Sequence, residues 1–586
     1  MEMKKITLLA IVLTAGLLTM CSETEKIQPA ATITIDPNTG SGKPSQNVSI
    51  SIAYEAPNGA SELHVFSGGV EVDLVSLSGK TSPTTYEYTV PADAAVGSNI
   101  VLGFQIFDVK GYPSALANFT ITVGETLQGT ISANRTLDAT QQYIIKGQVF
   151  VASGVKLTIP AGTILKGDKA SKGVLIVQPG GQLDALGEAN KPIVFTSAQP
   201  VGARDRGDWG GVILLGNAFV NQPAKPAIEG ITPNQTYGSS LAETTNPATN
   251  ATENSGTIRY TRIEYAGIEL TPNNETNGLT MGGVGNGTTI EFVQVSFGGD
   301  DSFEWFGGTV NCKNLVALSS WDDDFDTDFG WGGNVQFGLA VRNTFFADQS
   351  GSNGFESDNQ GNGNTIAGIC DGTTQAGCTR GVFSNMTILG PREIQSRTIS
   401  ANFQNGAHIR RRTSISIFNS YIAGFRIGIR LDDQGTLDNL TGGSGKHAYN
   451  VLSVPGTTRI GAATTASDAN FATGLSAGDA TAVATYWTNN SNTDFNNITT
   501  TQPHSDLGIN AALFWGGSTS STYPSNPDFR LIAGVAGANN LNGGANFGDA
   551  KLSGGFFSTT TYRGAFSSTT DWTDGWSEFQ PLSKAY

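Results

Sequence analysis

The residues best suited to chemistry in this chain lie in one short acidic segment. Residues 319–333 read SSWDDDFDTDFGWGG and hold five carboxylates and two tryptophans. Only 14% of the 586 residues are charged, so this density stands out from the rest of the chain. Such carboxylates could ligate a hard cation, supply a general acid and base, or form a solvated acidic turn.

The acidic segment is one member of a repeat. Residues 301–304 (DSFE), 323–326 (DDFD) and 353–356 (NGFE) each place a phenylalanine among polar residues, at intervals of 22 and 30 positions. Successive side chains of a strand point to opposite faces. We therefore expect the three phenylalanines to stack inward and their neighbours to form an outward ladder. The phenylalanines are Phe303, Phe325 and Phe355, and the expected outward neighbours are Ser302, Glu304, Asp324, Asp326, Gly354 and Glu356.

A ladder of carboxylates must be neutralised in some way. Each pair about 5 Å apart costs roughly 3 kcal/mol at an effective dielectric of about 20. A Ca²⁺ ion could relieve this repulsion, because it accepts about six to eight oxygen ligands in flexible geometry. Alternatively, an acid keeps its proton as a catalytic acid does, or the acids spread into solvent or pair with arginine. The candidate cation ligands are Asp300, Asp301, Glu304, Asp322, Asp324, Asp326, Asp328, Glu356 and Asp358.

Short β-strands in a regular repeat must position this ladder. The runs QVFV, KLTI and TILK begin at residues 148, 156 and 163, and VLIV, QLDA and IVFT follow at offsets of 26, 26 and 30 residues. Three strands per turn at such a period predict a parallel β-helix. The 74 glycines and 22 prolines also favour an all-β protein. We predict the β-helix over residues 126–440.

The segments on either side of the repeat differ in pattern. Residues 31–125 alternate apolar and polar positions in short runs, which predicts an immunoglobulin-like β-sandwich. Residues 441–586 predict an irregular extension, helical over 477–487, that ends in a cap. A β-helix needs a cap over its last apolar turn. The expected cap residues are Phe566, Trp572, Trp576 and Phe579.

The N-terminus predicts export and lipidation. Residues 1–20 carry two lysines and then an apolar stretch that is short for a membrane span, as an export signal does. Leu18–Cys21 resembles a bacterial lipobox, so Cys21 is the expected lipidation site and residues 21–30 a tether. The net charge of −16 disfavours nucleic acid as a partner.

The other cysteines predict one disulfide. Cys370 and Cys378 flank a short polar loop, and an oxidising compartment favours a bond between them. Cys312 is then expected to be buried and unpaired. The spacing of the cysteines and the four histidines does not indicate a zinc site.

Three stretches of the chain carry a resemblance to a known group. They are residues 147–197 (GQVFVASG…KPIVFTS), residues 207–218 (GDWGGVILLGNA), and the end with YRGAF and DWTDGW. They resemble secreted or lipid-anchored proteins of the Bacteroidota that contain a right-handed β-helix of the pectin-lyase type. The resemblance spans about residues 126–586 and implies a fold rather than an activity. The residues SETEK after Cys21 resemble the tag of outer-membrane lipoproteins that face the cell exterior.

The resemblance implies two chemistries if the chain is an enzyme. A polysaccharide lyase would use an arginine base with Ca²⁺, and the candidates are Arg410, Arg411 and Arg412. A glycoside hydrolase would use paired carboxylates, with His408 near them. The signatures GHG and RIK of β-helical polygalacturonases are replaced here by AHI (407–409) and RIG (426–428).

Aromatic residues beside the acids suggest a sugar ligand. Trp305, Trp321 and Trp331 are candidates for stacking on sugar rings if they are exposed. We therefore predict a lipid-anchored surface protein that binds an extracellular polysaccharide with Ca²⁺. A polysaccharide lyase or hydrolase, and an adhesin or structural surface protein, stay open as alternatives.

Overall fold

The structure, a computed structural model, describes most of the chain from residue 28 onward. The predicted export signal and Cys21 lie outside the described residues, as does the predicted helix over 477–487 apart from Tyr486. Within the described part, no helix is long and apolar enough to cross a membrane. The described residues are 28–94, 97–271, 274–360, 365–455, 486, 495–500, 507–517, 523–532, 541 and 543–586.

The N-terminal strands form two sheets. The first compact unit of the chain contains residues up to Gly40, Gln46–Val90 and Asn99–Ile121. The sheets have the strand orders β1-β3-β6 and β2-β8-β7-β4-β5. The strands are β1 (Thr32–Thr34), β2 (Thr39–Gly42), β3 (Asn47–Glu55), β4 (Ala60–Ser67), β5 (Val70–Ser76), β6 (Thr81–Thr89), β7 (Asn99–Asp108) and β8 (Ala117–Val123).

In this unit, buried and exposed residues alternate along the strands. In β3 every second residue is buried, including Ile50 and Ile52, while the residues between them are exposed. Phe104 and Ile106 of β7 are buried in the same alternating way. One buried and one solvated face per sheet is the pattern of antiparallel β-sandwiches. The all-β prediction for this segment is therefore confirmed.

The second compact unit contains Ser41–Ser45, Pro91–Ser98 and Thr122–Tyr586. Most of its strands belong to a single sheet of 26 described strands, and β19 pairs with β20 separately. The strands are β9 (Glu125–Ile131), β10 (Arg135–Thr136), β11 (Gln142–Val151), β12 (Lys156–Pro160), β13 (Ile164–Gly167), β14 (Val174–Val177), β15 (Gln182–Leu186), β16 (Ile193–Ser197), β17 (Val212–Leu215), β18 (Gly256–Glu264), β19 (Glu269–Thr271), β20 (Asn274–Glu275), β21 (Leu279–Val284), β22 (Thr289–Ser296), β23 (Phe303–Gly308), β24 (Asn311–Leu318), β25 (Phe325–Asp328), β26 (Asn334–Val341), β27 (Phe355–Ser357), β28 (Val382–Ser384), β29 (Thr387–Leu389), β30 (Asn405–Ile409), β31 (Ser416–Phe418), β32 (Tyr421–Ala423), β33 (Ile427–Leu431), β34 (His447–Ala448), β35 (Val451–Ser453) and β36 (Ile498–Thr500).

The pairing of these strands is that of a parallel β-helix. Strand β11 pairs in parallel with β14, β12 with β15, and β13 with β16, so each strand stacks on its equivalent one turn later. The register pairs Gln148 with Val174 and Lys156 with Gln182, which confirms the offset of 26 predicted from sequence. The parallel ladder continues through β34, β35 and β36, beyond the predicted end of the β-helix at residue 440.

Regular helix is scarce in the described residues. One α-helix, α1 (Gln434–Thr441), follows β33, and the Asp433 side chain caps it by accepting a hydrogen bond from the Thr436 backbone nitrogen. The short 3₁₀ helices are Ala511–Leu513, Trp515–Gly517, Ala550–Leu552 and Pro581–Ser583.

Irregular segments cover two outer faces of the β-helix. Between β17 and β18, Val220, Ile228 and Tyr237 pack on aliphatic residues of β14 and β17. The C-terminal residues pack on another face, against β24, β26, β29 and β32. Phe566, Trp576 and Phe579, expected in a cap, lie in this second cluster. The C-terminal segment therefore covers a long side of the β-helix.

The disulfide between Cys370 and Cys378 is present, and Cys312 is free and buried. Both features match the prediction from sequence. The bonded loop lies close to the acidic face described below, because Asn359 Nδ2 donates a hydrogen bond to Cys370 Sγ.

Candidate acidic site

One column of outward-facing residues runs through strands β14, β17, β21, β23, β25, β27, β30 and β33. Its chemical character changes along the helix from aliphatic to acidic and then to basic. Residues of neighbouring strands are in direct register throughout. The column consists of Ile176, Ile213, Thr280, Glu304, Asp326, Glu356, His408 and Arg430.

The phenylalanines that precede the acids hold this column in register. Phe303, Phe325 and Phe355 are fully buried, and the ring centroids of successive members are 5.7 Å apart. Each phenylalanine is the first residue of its strand, so the next residue points to the opposite, outer side. The prediction that Glu304, Asp326 and Glu356 form an outward ladder is thus confirmed.

The residues before the phenylalanines behave differently, and their predicted outward direction is wrong. Asp324 is fully buried and lies 3.4 Å from Nε of the equally buried Arg342. Ser302 is buried against Ser320, with a distance of 2.7 Å between the two hydroxyl oxygens. A side chain on Gly354 would collide with Ile388. These positions are corners between strands, where the alternation of a strand does not apply.

Two groups of carboxylates in this region could hold a metal ion. The first group is Asp300, Asp301 and Asp322, and the second is Asp301, Glu304 and Asp326. Within each group, one oxygen from every residue lies within 4.8 Å of the others. Two oxygens bound to one Ca²⁺ ion are at most about 5 Å apart, given metal–oxygen distances of about 2.3–2.6 Å. Five of the nine predicted cation ligands are therefore brought together.

The remaining predicted ligands have other partners. Asp358 accepts hydrogen bonds from Arg410 Nε at 2.6 Å and from Arg411 Nη1 at 2.5 Å. Glu356 lies 3.1 Å from both Arg410 Nη2 and His408 Nδ1. Asp328 accepts a hydrogen bond from the Phe329 backbone nitrogen at 2.7 Å.

The predicted catalytic cations form the basic end of the column. His408 lies between Glu356 and Asp432, whose Oδ2 is 2.9 Å from His408 Nε2. Neighbouring carboxylates raise the pKa of Arg410 above its usual range although burial opposes this, so Arg410 stays protonated. Arg412 packs on the start of α1 at Gly435. This geometry gives no support to Arg410 as a general base.

The predicted sugar-stacking role is wrong for two of the three tryptophans. Trp305 and Trp331 are fully buried inside the β-helix, with ring centroids 5.1 Å apart. Gly381 makes room for Trp331, because a Cβ atom there would lie 1.8 Å from the indole ring. Trp321 is half-buried, and the Arg206 guanidinium covers its ring at 3.6 Å from the centroid.

Burial dominates the electrostatics of the acidic residues, and the charges of neighbouring acids add to it. Burial raises the pKa of Asp322 to about 7, with Glu356 and Asp348 contributing. The pKa of six further acids lies well above the usual value for the same reasons; they are Asp300, Asp301, Glu304, Asp323, Asp326 and Asp328. Burial would also raise the pKa of Glu356, but hydrogen bonding from His408 and the charge of Arg410 lower it.

The stability of the metal-free protein should therefore fall as the pH rises from about 4 to about 7. A carboxyl whose pKa is raised on folding stabilises the fold fully below its unfolded pKa and loses that contribution as the pH passes its folded pKa. For Asp322 this window extends from 3.8 to about 7. We expect the melting temperature in chelator to drop by on the order of 5 °C across this range. Thermal unfolding at several pH values measures it, and a flat or rising profile would contradict these pKa directions.

Several residues of the site were missed from sequence. Arg342 donates hydrogen bonds to backbone oxygens of Ser320 and Asn353, which fixes the corner that carries the acidic segment. Asn277 holds Glu304 by a hydrogen bond to Oε2, and Asp432 holds His408. The turn spacing does not reveal His408 and Arg430 as later members of the same column, because the intervals are unequal: 52 residues from Glu356 to His408 and 22 from His408 to Arg430. The partners from corners carry no periodic signal either.

The chain matches one family model. It is described as a pectate-lyase like beta helix domain and covers residues 129–494, which is more than half of the chain. No curated protein and no solved structure matches. All the candidate cation ligands lie within the matched range.

Proposed function

This chain belongs to the pectate-lyase-like β-helix family, and we propose that its acidic face binds Ca²⁺ and, through the ion, an extracellular polysaccharide. The observation that carries the proposal is the convergence of five carboxylates into two groups of oxygens at calcium spacing. They are Asp300, Asp301, Glu304, Asp322 and Asp326. The family supports a polysaccharide as the partner, since the fold is related to polysaccharide-active proteins.

The chemistry of the ligands favours a hard cation such as Ca²⁺ over zinc or copper. All the converging atoms are carboxylate oxygens, which suit hard cations rather than zinc or copper. Three oxygens per group leave coordination positions open, because Ca²⁺ takes about six to eight. Water or sugar hydroxyl groups would fill these positions, so the ion could contact a glycan directly.

Polysaccharide binding should depend on Ca²⁺ and on Asp326. Asp326→Asn keeps the size of the side chain but removes a charge from the second group of carboxylates. In affinity electrophoresis against polygalacturonate, alginate and a neutral glucan, we expect Ca²⁺ to retard the wild type in at least one gel. The variant should bind that polysaccharide at least tenfold more weakly, because a metal site loses about that much even when an outer partner is removed.

The matched control for this experiment is Asp184→Asn. Asp184 of β15 lies outside the acidic site, and its Oδ2 is 2.7 Å from Nζ of Lys156 on β12. Its variant should bind as the wild type does. Retardation that persists unchanged in excess chelator would contradict the proposal.

Hydrolysis is the second candidate function, and the pair formed by Glu356 and Asp326 favours it. These residues lie side by side, in register on the neighbouring parallel strands β25 and β27. Despite burial, contacts with His408 and Arg410 lower the pKa of Glu356, whereas burial and neighbouring acids raise the pKa of Asp326. An ionised carboxylate beside a protonated one is the arrangement that glycoside hydrolysis uses. New reducing ends that disappear in Glu356→Gln would support hydrolysis, and unsaturated products would indicate a lyase instead.

We also propose that Cys21 anchors the protein to the outer membrane and exposes it at the cell surface. The support is the lipobox-like sequence that ends at Cys21 and the polar residues after it. When full-length protein is expressed in a bacterium with lipoprotein processing, the wild type should partition into the detergent phase of a Triton X-114 extract. Cys21→Ser should move to the aqueous phase, and equal partitioning of the two would contradict lipidation.

A further inference from the structure

We propose that the N-terminal unit carries a binding site of its own, a cleft above Gly103 that takes a sugar residue of a neutral polysaccharide. The site is separate from the acidic face and uses no metal ion, so it goes beyond the function proposed above. The cleft has a volume of about 360 Å³ and lies on the outer side of the five-stranded sheet. The residues that form it include Phe66, Val101, Gly103, Gln105, Leu116 and Asn118.

Gly103 of β7 is the floor of the cleft because it has no side chain. Its neighbours Leu102 and Phe104 are fully buried, so position 103 faces the opposite, outer side of the sheet. A Cβ atom there would lie 3.1 Å from Cδ1 of Leu116 and 3.5 Å from Oδ1 of Asn118. The φ angle of Gly103 is not in the left-handed region, so the backbone itself does not require glycine. A glycine inside a strand often marks the close approach of a ligand.

An aromatic ring and an aliphatic side chain stand on either side of this floor. Phe66 of β4 is in register with Gly103, and Leu116 lies on the other side, just before β8. Phe66 also begins a row of three partly exposed rings, because the His64 ring lies 6.5 Å from that of Phe66 and 4.2 Å from that of Phe107. The solvated face of an antiparallel sheet is normally polar. A row of rings there offers the apolar surface on which the C–H face of a sugar packs.

Two amide side chains supply polar groups for the hydroxyls of a sugar. Nε2 of Gln105 donates a hydrogen bond to the Ser114 backbone oxygen at 2.8 Å, which fixes the amide. Within the described part of the chain, Oε1 of Gln105 and the side-chain amide of Asn118 have no hydrogen-bond partner. An amide can donate and accept, as a sugar hydroxyl does. Apolar walls with a few polar groups, at this volume, are typical of small-ligand sites.

The charges around the cleft favour a neutral polymer over an anionic one. None of the described residues that line the cleft is charged. The neighbouring His64 has a carboxylate beside each ring nitrogen, with Oε2 of Glu71 2.9 Å from Nδ1 and Oε2 of Glu62 3.4 Å from Nε2. Residues 31–125 contain nine Asp and Glu residues but only three lysines and no arginine. This negative surface would repel a polyuronate, whereas a neutral chain carries no such cost.

Binding of neutral hexasaccharides in chelator tests the proposal. In titration calorimetry of the full chain in EDTA, we expect at least one of cellohexaose, xylohexaose and mannohexaose to bind, and hexagalacturonate not to bind. Gly103→Val fills the floor of the cleft with a residue that suits a strand. It should weaken the binding by about tenfold or more, because the added methyl groups separate the sugar from the Phe66 ring.

The matched control is Tyr112→Ala, which removes a 60% exposed ring of the same unit outside the cleft. This variant should bind as the wild type does. Circular dichroism checks folding. If Gly103→Val does not fold, Asn118→Leu replaces it, because that change keeps the size of an exposed side chain and removes its amide.

The outcomes separate this cleft from the acidic face and from a protein partner. Binding in chelator that Gly103→Val abolishes would support the cleft even if the acidic face binds no Ca²⁺. Absence of binding for all three neutral hexasaccharides, or equal binding by the wild type and Gly103→Val, would overturn the proposal. A wild type that sediments as a dimer while Gly103→Val sediments as a monomer would also overturn it, because the cleft would then hold a second copy of the chain.

Discussion

Phe325→Ala is expected to lower the free energy of unfolding of the β-helix by about 3–5 kcal/mol, the usual loss for a buried phenylalanine. Phe325 is fully buried and stacks between Phe303 and Phe355. Its removal would leave a cavity in the column that sets the register of the acidic ladder. Urea-induced unfolding, followed by tryptophan fluorescence, measures the change, because Trp305 lies beside Phe325.

Phe345→Ala is the control for this prediction. Phe345 is 60% exposed, so the same truncation there should change stability by less than about 0.5 kcal/mol. A loss of under 1 kcal/mol for Phe325→Ala would show that the phenylalanine column does not support the wall of the helix.

Asp301→Asn is expected to weaken Ca²⁺ binding by about 100-fold or more. Removal of an outer partner alone costs roughly 10–100-fold, and Asp301 is a proposed direct ligand that belongs to both groups of carboxylates. Asparagine keeps the oxygen that accepts from the Asp323 backbone nitrogen, so the local fold should persist. Titration calorimetry measures the affinity.

The effect of Ca²⁺ on thermal stability gives a second readout for Asp301. A ligand that binds the folded state raises the melting temperature in proportion to the logarithm of its excess over the dissociation constant. Ca²⁺ should therefore stabilise the wild type and Asp184→Asn to the same extent, and Asp301→Asn much less. Equal stabilisation of all three would place the binding site elsewhere.

The regular part of the fold could be predicted from sequence because the turns must stack in register. The runs beginning at Gln148 and Lys156 pair with their equivalents 26 residues later, as the spacing requires. The same reasoning located Phe303, Phe325 and Phe355, because a repeated large apolar residue at turn spacing has to stack inward. The period of the repeat and the polarity of its residues were sufficient to predict these positions.

The corners and the buried polar groups could not be predicted in this way. Asp324 and Asp326 both flank Phe325 in the sequence, yet Asp324 is fully buried beside Arg342, which lies 18 residues further along the chain. Trp305 and Trp331 occupy space that glycines such as Gly381 leave open, and the sequence does not show which glycine faces which ring. Both outcomes depend on contacts between residues that lie far apart in the chain.

The basic end of the column shows the same limit. His408, Arg410 and Arg411 were expected to serve catalysis. Instead, Asp432 pairs with His408, and Asp358 pairs with both arginines. A run of arginines in the sequence indicates charge but not its partner. The acidic end has fewer cations among the described residues, and this imbalance is the reason that a metal ion is proposed there.

The most direct test of Ca²⁺ at the acidic face is a crystal structure determined in CaCl₂, with an anomalous difference map recorded at long wavelength. We expect calcium bonded to the five carboxylates that converge at the acidic face, with water or added oligosaccharide in the remaining coordination positions. A map without a peak beside well-ordered Asp301, Glu304 and Asp326 side chains would contradict Ca²⁺ binding at the acidic face. Protons or solvent would then have to neutralise the ladder.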